Sequence, residues 1–126
     1  MKLDPSDQKI VNDFFREHVN RSYKNPMNSV RMNVDHTFEH RERIFQICNH
    51  LIDNRIPFWT EVRLNNGCIP DIVTPTHVTT FIEVFGTETL DDFKSNKLAK
   101  YQGAGFELSD FKFVDCSSEL LLQQLW

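Results

Sequence analysis

Apolar positions along the first part of the chain recur at helical spacing. Ile10, Val11, Phe14, Phe15, His18 and Val19 follow Asp4, Pro5 and Ser6, which predicts a helix over 6–21. Residues 22–35 hold Asn25, Pro26, Asn28 and Asn33 and read as a loop. The helical period returns at Ile44, Phe45, Cys48, Leu51 and Ile52. That predicts a second helix over 36–55, with Asp35 or Thr37 as its cap and Pro57 as its stop. Beyond Pro57 the pattern becomes that of strands. FWTEVRL (58–64) and IPDIVT (69–74) flank the turn NNG (65–67), and THVTTFIEVF (76–85) is a third strand, ended by Gly86. TETLDDFKSNKLAKY (87–101) predicts a helix capped by Thr87 or Thr89, with Asp91 and Asp92 in its first turns, where the helix dipole favours acid. FKFVDC (111–116) is a fourth strand, and SSELLLQQLW (117–126) is a final helix with Ser117 or Ser118 as cap.

The predicted order is α-α-β-β-β-α-β-α, a mixed α/β architecture around a small sheet flanked by helices. A chain of 126 residues can bury a core as a single domain, 1–126. Within it lie an N-terminal helix and loop (1–35), the sheet-forming core (36–116) and a C-terminal helix (117–126). No window approaches a membrane span, and MKLDPSDQK has no apolar stretch of a signal peptide. Cys48, Cys68 and Cys116 are odd in number with no CxxC pair, which points to reduced thiols and a cytoplasmic setting. LLLQQLW carries more apolar surface than a short surface helix needs. It is expected to pack on the core or to meet a second copy in a homodimer.

Charge changes this picture modestly. The net charge of −4 argues against a general polyanion binder, yet residues 1–60 carry nine Lys/Arg against eight Asp/Glu. The basic excess is densest in REHVNRSYKNPMNSVRMN (16–33), where Arg16, Arg21, Lys24 and Arg31 stand against Glu17 alone. Such cations interleaved with Asn, Ser and Tyr23 are suited to phosphates. A solvated loop is the plainer account of the segment.

Candidate chemistry concentrates in the strands. Glu61, Asp71 and Glu83 fall on three successive predicted strands, and Glu61 and Asp71 flank the turn that would make them neighbours. Glu83 stands among Phe81, Ile82, Val84 and Phe85, where an unpaired carboxylate is costly. Converging carboxylates repel unless a cation sits among them, and hard oxygen donors suit Mg²⁺ or Mn²⁺. Such an ion can polarise a phosphoryl oxygen, the chemistry of phosphodiester hydrolysis. Taken singly, Glu61 reads as a strand-end acid facing solvent.

IPDIV followed by FIEVF resembles the PD-(D/E)xK nuclease superfamily, whose restriction-endonuclease-like fold has an α-β-β-β-α-β core. The likeness spans roughly residues 36–116. It implies a metal-dependent nuclease acting on DNA ahead of RNA, with Asp71 and Glu83 as catalytic metal ligands. It also implies an acid on the preceding helix, Glu39 or Glu42. The family's lysine should follow Glu83 by two residues, and here that residue is Phe85. Lys97 and Lys94 both project near the inward stripe of the following helix, and KLAKY (97–101) is similar to the Q-x-x-x-Y spacing of RecB-type members. Lys97 is therefore the expected surrogate, with Lys94 second. The plain alternative is that both lysines run to the surface along their aliphatic stems.

His36, Glu39, His40 and Arg43 share one face of the second helix at i, i+3, i+4 and i+7. In a nuclease this face would line the groove. Glu39 would join Asp71, Glu83 and Glu61 as metal ligands, and Arg43 would bind phosphate beside Arg21, Lys24, Arg31, Lys94 and Tyr101. A zinc pair from His36 and His40 competes, though no third ligand has suggestive spacing. So does a solvated face with a Glu39–Arg43 pair. The leading expectation is a Mg²⁺- or Mn²⁺-dependent nuclease. The alternative is a nuclease-fold protein that has lost catalysis and binds nucleic acid or a protein partner.

Overall fold

The computed structural model describes residues 1–116. The first helix, α1 (Pro5–His18), starts where Asp4 accepts a hydrogen bond from the Asp7 amide. It ends earlier than the apolar period suggests, because Val19 turns extended and bridges to Leu64. The second, α2 (Phe38–Asp53), is capped by Thr37, whose hydroxyl accepts from the His40 amide. His36 therefore precedes the helix instead of belonging to it.

Four short strands form one sheet in the order β1 (Trp59–Thr60), β2 (Ile72–Val73), β3 (Phe81–Phe85), β4 (Phe111–Asp115). The first three pair antiparallel, and β4 lies parallel to β3 after a helical crossover. All four strands are shorter than predicted, β4 by a single residue. β1 stops because Glu61 adopts a φ of 51°, a left-handed conformation that ends the ladder. The segment before β3 folds as a turn, tied by Thr74 donating from its amide to the Thr80 carbonyl and from its hydroxyl to Thr79. The helix predicted over 87–101 is also two helices, α3 (Leu90–Asn96) and α4 (Leu98–Gly103), broken at Lys97. Thr89 caps α3 in a reciprocal pair with Asp92. The C-terminal helix expected over 117–126 lies outside the described residues.

Alternation along the strands builds a layer on each face. Ile72, Ile82, Val84 and Val114 pack on Ile44, Ile47, Cys48 and Leu51 of α2. Val73, Phe81, Phe85 and Phe111 face Val11 and Phe14 of α1, Phe93 of α3 and Tyr101 of α4. Rings interlock there: Phe93 sits 5.0 Å from Phe111 and 5.1 Å from Phe113, and Tyr101 4.7 Å from Phe111. This aromatic layer anchors the α3–α4 junction over the sheet, and so places Lys97. All three cysteines are free, and no helix among the described residues is long and apolar enough to cross a membrane.

Candidate functional site

The strand register brings the three acids into one row. Thr60 pairs with Ile72 and Ile72 with Ile82, so one step along each ladder sets Glu61 opposite Asp71 and Asp71 opposite Glu83. The Glu61 amide donates to the Asp71 carbonyl at 3.1 Å, in keeping with that register. Like charges directly opposite one another weaken a sheet, and here the acids are also withdrawn from water. Glu83 is only 5% exposed. Burial, and then the neighbouring Asp71 charge, push its carboxyl well above the ordinary range, against the pull of Lys97. Asp71 is buried too, and its Oδ2 accepts from the Val84 amide at 2.8 Å. Glu61 is half-buried, and burial raises its carboxyl although the Asn33 amide donates to it at 3.0 Å.

Two imidazoles close the row from the α2 side. His36 and His40 stack with ring centroids 3.9 Å apart, and His40 Nε2 stands 3.5 Å from Asp71 Oδ2. One donor atom from each of His36, His40 and Asp71 fits within a mutual spacing of 4.8 Å. His36 Nδ1 and His40 Nε2 are buried and make no hydrogen bond. Buried polar atoms are nearly always satisfied, so two such nitrogens beside the buried Asp71 carboxyl fit a divalent cation.

Lys97 enters from the opposite side. At the helix break its ammonium reaches Glu88, with an Nζ–Oε2 distance of 3.0 Å. Partial burial opposes its charge. The Glu88 hydrogen bond and the charges of Glu83, Glu88 and Asp71 outweigh that and raise its pKa. Phe85, in the place of the expected motif lysine, is buried and stacks on Phe113 at 5.1 Å. The acids, imidazoles and Lys97 line a single cleft of about 590 Å³, with Glu39 at its exposed rim.

The remaining expected contacts scatter. Arg31 and Lys24 line a neighbouring groove of about 440 Å³ that shares Asn33, Glu61 and Ile69 with the cleft. Arg21 and Lys94 are exposed and line neither. Two residues are placed against the sequence expectation. Arg43 is buried, and its Nη2 donates to the Cys116 carbonyl at 3.3 Å instead of pairing with Glu39 or facing a groove. Tyr101 is 1% exposed in the aromatic layer, where burial drives its hydroxyl far up in pKa, so it offers nothing to a polynucleotide.

Sequence spacing alone did not reveal Asp71 as the partner of the two histidines, because it arrives from a strand instead of the helix. Glu88 as the anchor of Lys97, and Arg63 in the basic groove, were likewise without a sequence signal. Comparison of the chain with protein-family models, curated proteins and solved structures gives no match.

Proposed function

We propose that the chain is a metal-dependent nuclease of the restriction-endonuclease-like type, cutting phosphodiester bonds in the cleft around Asp71 and Glu83. The observation that carries this reading is the cross-strand pair of buried carboxyls, with two unsatisfied imidazole nitrogens on one side and an ammonium on the other. The order α2-β1-β2-β3-α3/α4-β4 supports it, being an α-β-β-β-α-β order.

His36, His40 and Asp71 would hold the ion, with Glu83 and Glu61 beside them. A donor set mixing carboxylate and imidazole inclines the site to Mn²⁺ ahead of Mg²⁺, which prefers oxygen and water. The ion, when bound, supplies polarisation of a phosphoryl oxygen and stabilises the charge that grows there. Every other part belongs to the chain. Asp71 is fixed by the Val84 amide on Oδ2, the oxygen that also faces His40. Glu83, whose carboxyl is held above its ordinary range by burial and then by Asp71, would add negative charge beside the ion once ionised. Lys97 donates to the attacking water or to a phosphate oxygen, and Glu88 keeps its ammonium charged and aimed across the cleft.

A second reading keeps the fold and removes the reaction. Phe85 fills the motif lysine's place with a packed ring, which favours a site that binds metal and polynucleotide without cutting. Cleavage of single-stranded, duplex and branched DNA and RNA, with Mn²⁺ and with Mg²⁺, separates the two. Metal-dependent cutting by the wild type, lost in Asp71→Asn and in Lys97→Ala, supports the nuclease. Cutting that survives Asp71→Asn overturns it. No cutting, with metal still raising the wild-type melting temperature, establishes the second reading.

A further inference from the structure

We infer that the groove beside the cleft is a track for single-stranded DNA, in which Lys24, Arg31 and Arg63 take phosphates and a recess between Met32, Val34 and Arg41 takes an unpaired base. The inference rests on the nuclease-like reading of the cleft and names the form of its substrate.

Continuity comes first. The groove and the cleft share Asn33, Glu61 and Ile69, so a strand lying in one runs directly into the other. A further recess of about 320 Å³, lined by Met32, Asn33, Val34 and Arg41, adjoins both through Asn33. Charge comes second. Lys24, Arg31 and Arg63 are exposed, and no ion pair joins any of them to an acid among the described residues. Cations left unpaired along a groove that ends at a candidate metal site complement a polyanion.

The wall of the groove is also built in advance. Residues 22–34 have no regular structure, yet they are sewn to the outer edge of β1. The Asn28 amide donates to the Phe58 carbonyl at 2.8 Å and the Tyr23 hydroxyl to the Thr60 carbonyl at 2.7 Å. The Arg31 amide donates to Thr60 Oγ1 at 3.0 Å. The loop thus covers the sheet edge and fixes the side chains it presents.

Apolar exposure then distinguishes single strand from duplex. Val34 is 90% exposed, and Met32 and Ile69 each 51%. A duplex presents phosphates to such a groove and keeps its bases stacked inside, leaving these side chains facing water. An unpaired base has free faces that can cover them, and can also stack on the Arg41 guanidinium. Arg41 is held for this by donating to the His36 carbonyl. Met32, Val34 and Ile69 offer no partner to a 2′-hydroxyl, which favours DNA over RNA where the sugars pass over them.

The test is fluorescence anisotropy with a labelled single-stranded DNA, its duplex and the matching RNA, in EDTA so that nothing is cut. The full chain is compared with Arg31→Ala/Arg63→Ala and with Met32→Ser/Val34→Ser, each checked for an unchanged melting temperature. Single-stranded DNA is expected to bind at least about tenfold more tightly than duplex. Its log K should fall with log salt with a slope of about −2, from about 0.7 for each of three phosphates. The arginine variant should lose about 1.4 of that slope. The Met32/Val34 variant should lose the single-strand preference and keep the slope. Equal or tighter duplex binding, RNA preferred over DNA, or a Met32/Val34 variant that binds like wild type would overturn the inference. Single-strand binding by a chain that never cuts would sink the nuclease reading and leave the track standing. Cutting of duplex alone would do the reverse.

Discussion

The two ends of β3 and its middle are built on opposite terms. Around Phe81 and Phe85 the sheet meets α1, α3 and α4 through rings that all find partners, as Phe93 does between Phe111 and Phe113. At Glu83, between those two phenylalanines on the same strand, burial continues but the partners turn polar and charged. A carboxyl faces another carboxyl, and two nearby imidazole nitrogens make no hydrogen bond. The first region has every sign of contributing stability. The second lowers it, and groups held unsatisfied inside a folded chain are what a bound ion can repay.

Perturbing each region separately should show how far they differ. The largest effect is expected from Phe93→Ala, which empties the centre of the aromatic layer and should cost about 3–5 kcal/mol in denaturant unfolding. Because α3 and α4 hang on that ring, the variant should also lose the placement of Lys97. Next comes the ion itself. Mn²⁺ at about a hundred times its dissociation constant should add about 2.7 kcal/mol to wild-type stability. The same addition should do little for Asp71→Asn, read by thermal melting with and without chelator.

Glu83→Gln should move stability the other way. The Glu83 carboxyl is raised above its ordinary value of 4.5, so its favourable contribution is complete below that pH and is lost as pH rises through the folded value. An amide cannot ionise and escapes that loss. The variant should therefore gain about 1–2 kcal/mol over the metal-free wild type near neutral pH, and the gain should shrink towards pH 4. Melting curves across that range, in chelator, would record it. A variant no more stable than wild type at any pH would place the cost elsewhere.

The smallest effect belongs to the Lys97–Glu88 pair, which is partly open to solvent. Glu88→Gln should cost no more than about 0.5 kcal/mol, since solvent and salt screen such pairs. It should also lower the Lys97 pKa by removing the hydrogen bond and charge that raise it, seen by NMR titration of the labelled ammonium.

Much of this contrast is legible in the sequence, and the illegible parts have physical causes. Strand and helix periods locate both layers, and Pro70-Asp71 and Ile82-Glu83-Val84 announce acids where none should be buried. Hairpin logic brings Glu61 to Asp71. It cannot foresee the left-handed turn at Glu61, which depends on the loop that covers β1. The 87–101 segment reads as continuous helix because every residue in it tolerates one. The break at Lys97 comes from tertiary packing of Phe93 and Tyr101 on the same aromatic layer. The helical spacing of His36 and His40 hides that His36 lies before the helix. It is also silent on Asp71, their partner 31 residues beyond His40 on another element. Arg43 and Tyr101 look like groove residues by spacing alone, since period gives a direction around a helix and no information on what covers it.

On the reading proposed above, His36, His40 and Asp71, beside the buried Glu83, are held open for a divalent cation. Calorimetric titration of Mn²⁺ into the metal-free chain, in two buffers of different ionisation heat, tests it most directly. One ion per chain is expected, with any proton released on binding read from the difference between the two buffers, and with binding lost in Asp71→Asn. Binding that persists unchanged in Asp71→Asn, or no binding by the wild type, would contradict it.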